Sequence, residues 1–152
     1  MATVFDKLQL KDQKEIIVLN APDSFESELK QLKGIQVQRA LKGVKEIHFS
    51  LAFVKTQEEV DALARDVASR AAGDAVVWFA YPKGSSKRYT STIKRDSGWD
   101  SLGKAGFEGV RMVAIDEDWT ASRFRRAEFI KTMKRDAKWA MSAVGKKKTS
   151  KK

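Results

Sequence analysis

Residues 46–81 read EIHFSLAFVKTQEEVDALARDVASRAAGDAVVWFAY, and this stretch decides the fold. It begins with an alternating segment, Glu46–Val54, continues in a helical pattern, and ends in the near-continuous apolar run Asp74–Tyr81. Thr56 and Glu59 have the spacing of a capping box, in which a hydroxyl and a carboxylate satisfy the first free amides of a helix. Two strands joined by such a helix are typical of a right-handed parallel crossover.

The alternation of strand and helix continues on both sides of this unit. On the N-terminal side, Glu15–Asn20 is a short apolar run, followed by a turn and a helical segment that ends at Gly34. On the C-terminal side, Val110–Ile115 repeats the strand pattern after another short helix. Met1–Lys14 alternates only weakly, and we predict an extended arm or a frayed lead-in without a function there. We predict one α/β domain at residues 1–126, with Rossmann-like layering and a mostly parallel sheet of about five strands.

The C-terminal part is dominated by positive charge. Ser122–Arg126 (SRFRR) could add an edge strand to the sheet. Residues 127–141 combine apolar positions at helical spacing with lysines and arginines between them, which predicts an amphipathic basic helix. Residues 142–152 contain five lysines and no acid, which is typical of a tail that is disordered when unbound.

Composition excludes several classes of site. The chain of 152 residues is 42% hydrophobic, which is enough for a folded core. It contains no cysteine, so disulfides, zinc–thiolate sites, iron–sulfur clusters and thiol nucleophiles are excluded. No run approaches the roughly 20 apolar residues of a membrane span, and Met1–Asp12 lacks the apolar part of a signal peptide. We therefore expect a cytoplasmic protein without a membrane partner.

The net charge of +10 is distributed unevenly. Residues 1–82 contain 11 Lys/Arg and 12 Asp/Glu, whereas residues 83–152 contain 19 and 8. An excess of cations in one half favours an acidic partner through long-range attraction and counterion release. The predicted partners are nucleic acid or a phosphorylated ligand.

A long loop, Pro82–Arg95, carries much of this charge. Gly84 permits close approach of a ligand to the backbone, and no acid occurs before Asp96. The alternative is a solvated basic loop. The turns contain neither GxxxxGK[ST] nor GxGxxG, so we predict no nucleotide cofactor, and no other cofactor either. The candidate anion-binding residues are Lys83, Ser85, Ser86, Lys87, Arg88, Lys94 and Arg95.

A second candidate site follows from sheet geometry. Ligands of parallel sheets bind at the carboxyl ends of the strands, which would bring three segments to one edge: Asn20–Asp23, Lys83–Ser86 and Asp116–Trp119. The candidate pocket residues are Asn20, Asp23, Asp116, Asp118 and Trp119. The acids could hold Mg²⁺ or act as a base, but an exposed acidic turn paired with arginines is the preferred interpretation, and we predict no metal site.

The aromatic and histidine residues have structural and functional interpretations. Trp99 and Trp119, with Tyr89 in the loop, could stack single-stranded bases. The preferred interpretation is that both tryptophans seal the core. His48, the only histidine, is interpreted as a structural residue on a sheet face, because no Ser–His–acid arrangement accompanies it.

The later half of the chain resembles a bacterial family. The matching residues are Trp78, Ala80-Tyr81-Pro82-Lys83, Arg95-Asp96, Gly98-Trp99, Gly106, Val113-Ala114-Ile115-Asp116-Glu117, Trp119 and Arg123-Phe124. They are similar to the family known as domain of unknown function 3052. The resemblance covers most of residues 15–126 and leaves the C-terminal helix and tail as additions. It implies an intracellular bacterial α/β protein and transfers no catalytic residue.

Three functional hypotheses follow. The leading one is a non-enzymatic module that binds an anionic partner through the basic loop and tail. The first alternative is a small-ligand enzyme or sensor with a pocket at the carboxyl edge, in which Lys83 and Ser85 hold a phosphorylated substrate and Asp116 acts as acid, base or metal ligand. The second alternative is a protein–protein interaction module. The sequence does not decide whether the chain is an enzyme.

Overall fold

The computed structural model describes residues 4–10, 13–87, 89, 91, 93 and 99–129. They form a single α/β domain with one six-stranded sheet. Its elements in chain order are α1 (Val4–Lys7), β1 (Glu15–Leu19), a 3-10 turn (Asp23–Phe25), α2 (Glu26–Lys30), β2 (Gln36–Gln38), β3 (Ile47–Phe53), α3 (Gln57–Arg70), β4 (Ala71–Pro82), α4 (Asp100–Lys104), β5 (Phe107–Ala114), β6 (Trp119–Arg126) and a second 3-10 turn (Ala127–Phe129).

The sheet is mixed rather than entirely parallel, and three of its five strand pairings are parallel, as predicted. Its strand order is β2-β1-β3-β4-β6-β5, in which β2, β1, β3 and β4 are parallel and β6 is antiparallel to both β4 and β5. The predicted α/β class is confirmed, and the sheet has six strands where about five and a possible edge strand were predicted. Ser122–Arg126 does belong to a strand, but its predicted position at the edge of the sheet is wrong. The strand begins at Trp119 and pairs with β4 on one side and β5 on the other. A turn of only four residues after β5 makes β5 and β6 antiparallel neighbours.

Strand β4 is covered on both faces. From Ala75 to Pro82 every residue is buried. Val77 and Phe79 contribute to the apolar cluster that includes the buried side of α3, whereas Trp78 contributes to the cluster on the opposite face. This explains the near-continuous apolar run, since a strand between two layers has no solvated face.

The predicted capping interaction before α3 forms, with the Glu59 carboxylate reaching the residue before the N-cap Thr56. The Glu59 backbone N–H donates to the Thr56 hydroxyl at 3.2 Å, and the Lys55 backbone N–H donates to the Glu59 carboxylate at 3.1 Å. The start of this helix, and with it the position of the β3–α3–β4 crossover, is therefore encoded locally.

The N-terminal segment is not an extended arm. Val4, Phe5 and Leu8 are buried, and the indole N–H of Trp78 donates to the Leu8 carbonyl at 2.8 Å. Their helical spacing places the apolar side chains of α1 against the sheet, which the weak alternation of the segment did not indicate.

The predicted helix at 127–141 and the tail at 142–152 lie almost entirely outside the described residues, which show only the turn at Ala127–Phe129. Within the described part of the chain, every helix is too short or too polar to cross a bilayer.

Replacement of Trp78 by Phe tests the anchoring of α1. The substitution leaves the buried Leu8 carbonyl without its donor, so we expect the free energy of unfolding to fall by about 1–2 kcal/mol more than in Trp119→Phe. Trp119 is the matched control, since it is 2% exposed and its indole N–H has no acceptor among the described residues. Urea denaturation measures both variants, and equal losses would contradict the anchoring role.

Candidate functional site

Three polar segments share the carboxyl edge of the sheet. Asn20–Asp23 follows β1, Lys83–Ser86 follows β4, and Asp116–Trp119 follows β5. Strands β1, β3 and β4 are parallel, and β5 runs in the same direction as β4 because both are antiparallel to β6. The three segments therefore lie at the same edge, as the second candidate site requires.

The second and third segments are joined by hydrogen bonds. The Lys83 backbone N–H donates to the Asp118 carbonyl at 2.8 Å, and the Ser86 hydroxyl donates to the Asp118 carboxylate at 3.0 Å. The same hydroxyl accepts the Tyr89 backbone N–H at 3.2 Å. Ser86 is consequently a structural link between the basic loop and the acidic turn rather than a free anion donor.

Asp116 shapes the turn between β5 and β6. Its carboxylate accepts the backbone N–H groups of Asp118 at 2.8 Å and of Trp119 at 2.9 Å. Such a pattern is an Asx-type turn, in which a short side chain replaces a backbone acceptor. The geometry assigns Asp116 a turn-forming role, which the sequence interpretation as acid, base or metal ligand did not include.

A row of aromatic rings fills the space below the polar segments. Phe25 contacts Phe53 at 5.0 Å between ring centroids, Phe53 contacts Trp119 at 5.1 Å, and Trp119 contacts Tyr89 at 5.0 Å. The Lys55 ammonium lies 4.9 Å from the centre of the Tyr89 ring. This edge aromatic row joins the ends of β1, β3 and β6, so the polar groups form a rim above an apolar floor.

Asn20 is the residue with unusual backbone geometry at this rim. Its φ is +58°, in the left-handed region, and its side chain is exposed. A non-glycine residue in this region is uncommon, although Asn tolerates it better than most. The chain thus leaves β1 through a conformation that a β-branched residue would strain.

The predicted site residues differ in their exposure to solvent. Lys83 and Asp118 are half-buried in the linked unit, whereas Asp23, Ser85 and Lys87 are exposed. Arg88, Lys94 and Arg95 lie outside the described residues.

The two tryptophans near the loop do not offer stacking surfaces. Trp99 is 5% and Trp119 is 2% exposed, so both rings belong to the core, as preferred from the sequence. Trp99 packs on Tyr81 and Phe124 at centroid distances of 5.5 and 4.9 Å. The base-stacking interpretation of these rings is therefore wrong.

His48 lies at the opposite edge. Its side chain is exposed, 3.4 Å from the Glu46 carboxylate, and it lines an open hollow of about 570 Å³ together with Lys14, Glu15 and Asp74. The hollow is at the amino ends of the strands and contains none of the predicted site residues. Because parallel sheets bind ligands at the carboxyl ends, we place the candidate site at the edge with the polar rim.

One pair at the carboxyl edge was missed by the sequence analysis. Arg39, just after β2, makes two hydrogen bonds to the Glu26 carboxylate at 2.9 and 2.7 Å. This contact lowers the pKa of Glu26 below its ordinary value. The opposite charges were visible in the sequence, but their separation of 13 residues gives no signal of contact without the strand pairing.

No three acidic or histidine side chains within the described ranges are placed to hold a metal ion. The Asp116–Glu117–Asp118 run does not form such a group, since neighbouring side chains at a strand end diverge and Asp116 is engaged in the turn.

Comparison with known proteins gives matches only among solved structures. No family model and no curated protein matches the chain. The resemblance to domain of unknown function 3052 therefore stays a prediction. A protein of Sulfolobus solfataricus assigned to the type 11 methyltransferases is 7% identical with a TM-score of 0.47, covering 74% of this chain and 84% of that one.

Two further structures have similar scores. TehB from Haemophilus influenzae is 9% identical with a TM-score of 0.49, covering 81% of this chain and 61% of that chain. The N-methyltransferase NodS from Bradyrhizobium japonicum WM9 is 12% identical with a TM-score of 0.45, covering 75% and 85%. At these identities the likeness concerns the layered α/β fold.

The leading hypothesis of a non-enzymatic anion-binding module is not carried forward, and the enzyme alternative is developed below. Two of the three structures are named as methyltransferases, and that activity is said of those proteins. In the described part of the loop, the Ser86 hydroxyl donates to the Asp118 carboxylate.

Replacement of Asp116 by Ala tests its role in the turn. Loss of two backbone amide acceptors should lower the free energy of unfolding by about 1–2 kcal/mol, as removal of a helix N-cap does. Glu117→Ala is the control, since that side chain is exposed in the same turn, and we expect a change within about 0.5 kcal/mol. Chemical denaturation measures both, and a neutral Asp116 variant would refute the turn-forming role.

Proposed function

We propose that this chain is a small-ligand enzyme or sensor whose ligand lies at the carboxyl edge of the sheet. The observation that carries the proposal is the strand order. The chain goes from β1 outward to β2 and then returns past β1 to β3, so the order reverses between β1 and β3. Open α/β sheets bind their ligands outside the carboxyl ends at such a reversal.

The rim supplies polar groups on both sides of this point. Asn20 and Asp23 lie after β1, and Lys83, Ser85 and Asp118 lie at the ends of β4 and β5. An ammonium, a hydroxyl and a carboxylate above an apolar floor suit a small ligand with one polar or phosphorylated group and one apolar part.

The names of the methyltransferase neighbours suggest an adenosyl methyl donor, S-adenosylmethionine, as a possible ligand. The residues of the rim do not fit such a donor. In dinucleotide-binding folds the first turn is rich in glycine, and an acid about 20 residues further on holds the ribose of the adenosine half. Here the turn is Asn20-Ala21-Pro22-Asp23, and the second strand ends at Gln38 beside Arg39, which is paired with Glu26. We therefore assign no methyl-transfer step.

A ligand screen tests the proposal. Backbone amide NMR spectra of the full chain are recorded with a panel of sugar phosphates, nucleotides, carboxylic acids and S-adenosylmethionine. We expect at least one compound to produce saturable shifts at Ser85, Asp118 and Asn20. NMR spectra of the bound compound, followed over time, distinguish an enzyme from a sensor. Conversion of the compound identifies an enzyme, and a compound that stays unchanged identifies a sensor.

Paired variants locate the ligand. The double variant Lys83→Ala, Ser85→Ala should weaken binding at least about tenfold, because a hydrogen bond to a charged group contributes roughly 1.5–3 kcal/mol. Lys33→Ala is the control, as its exposed side chain lies between α2 and β2 near the amino edge. Shifts confined to Glu15 and His48, or a full panel without saturable shifts, would refute a carboxyl-edge site.

A further inference from the structure

Three arginines lie on one face of the antiparallel pair β5–β6. Arg111 of β5 is paired directly with Arg123 of β6, and Arg125 is two residues further along β6. Alternation along the strand puts Arg123 and Arg125 on the same face. Arg123 is also the cross-strand partner of Trp78, so this face continues the layer covered by α1.

Arg125 is neutralised within the domain. It makes two hydrogen bonds to the Asp74 carboxylate, at 2.8 and 2.6 Å, and its cross-strand partner is the buried Glu108. The bidentate contact raises the pKa of Arg125 above its ordinary value. Arg125 therefore lies next to two carboxylates, those of Asp74 and Glu108.

Arg123 has no such compensation. It is half-buried, and its side chain donates to the Gln9 amide oxygen at 2.6 Å, a neutral acceptor. Its Nε–H is buried without an acceptor among the described residues. Burial lowers the pKa of Arg123, and the nearby Arg125 and Arg111 lower it further, while Asp74 acts in the opposite direction.

Arg111 is exposed, and within the described part of the chain it makes neither an ion pair nor a hydrogen bond. Like charges directly opposite each other in an antiparallel pair are destabilising. The two guanidinium groups of Arg111 and Arg123 therefore repel each other, and the Arg123 Nε–H has no acceptor among the described residues.

The segment that contacts Arg123 is itself fixed. Gln9 has φ +66°, in the left-handed region, and the preceding Leu8 carbonyl accepts the Trp78 indole N–H. A strained residue held by a buried hydrogen bond orients Arg123 before any ligand arrives. Preorganised guanidinium groups are suited to planar oxyanions, which accept two parallel N–H bonds.

We propose that Arg111 and Arg123 form a binding site for the oxyanion group, carboxylate or phosphate, of a small ligand. An oxyanion held between the two guanidinium groups would offset the repulsion between these cross-strand partners. The site is separate from the carboxyl edge, since Arg123 is four residues, about 13 Å, along β6 from Trp119. It does not depend on the function proposed for that edge.

The test uses the full chain with two probes, sodium phosphate and sodium malonate, and sodium chloride at matched ionic strength as the reference. Arginine Nε–Hε NMR signals and thermal melting are followed during each titration. We expect a saturable shift of the Arg123 Nε–Hε signal and a rise in Tm with at least one probe. The probe that saturates at the lower concentration identifies phosphate or carboxylate as the preferred group.

Arg111→Gln provides the decisive variant, because its side chain is exposed and the substitution removes one charge without disturbing the core. We expect it to raise Tm in sodium chloride, by relieving repulsion, and to weaken oxyanion binding about tenfold. Arg65→Gln, on the exposed side of α3, makes the same charge change and should do neither. Equal effects of the two variants, or shifts that merely follow ionic strength with both probes, would overturn the proposal.

Discussion

The structure depends on the burial of both faces of β3 and β4. Six of the seven residues of β3 and all residues of β4 from Ala75 onward are buried. A strand with no solvated face needs an apolar layer on each side, which α3 and α4 provide on one face and α1 and α2 on the other. Polar side chains are consequently directed to the strand ends and to the outer pair β5–β6. The candidate sites lie in those two places because the centre of the sheet has no room for them.

At the carboxyl edge, buried aromatic side chains and polar side chains lie within a few residues of each other. Phe53 is the last residue of β3 and a member of the edge aromatic row, while Lys83 follows directly after β4. Trp119 has both roles, since its ring packs on Phe53 and its backbone N–H is held by Asp116. The rings remove water below the rim, which strengthens polar contacts made by a ligand above it. The rim itself is held by hydrogen bonds of its turns, among them those of Asp116 and Ser86.

The sequence predicted what depends on local patterns. The capping box of Thr56 and Glu59, the apolar run of β4 and the shared edge of the polar segments follow from spacing and from the geometry of parallel strands. The insertion of β6 between β4 and β5 did not follow, because strand order is a property of distant pairing. The pairing of Glu26 with Arg39 was missed for the same reason, since strand pairing brings the two residues together. The turn-forming role of Asp116 was missed although its signal is local, because its carboxylate accepts N–H groups two and three residues further along the chain, as Asp often does in turns.

The arginines show why a count of charges could not locate a binding site. The excess of 19 cations over 8 acids in residues 83–152 pointed to the loop and tail. Within this half of the chain, however, Arg123 and Arg125 have different partners. Both face the same layer, two residues apart, but Asp74 reaches only the second with paired hydrogen bonds. Strand register decides that Arg125 lies opposite a carboxylate within the fold, whereas Arg123 has only the neutral Gln9 amide as an acceptor in the described part of the chain. Like charges directly opposite each other destabilise an antiparallel pair, so the register that places Arg111 against Arg123 says more about a binding site than net charge does.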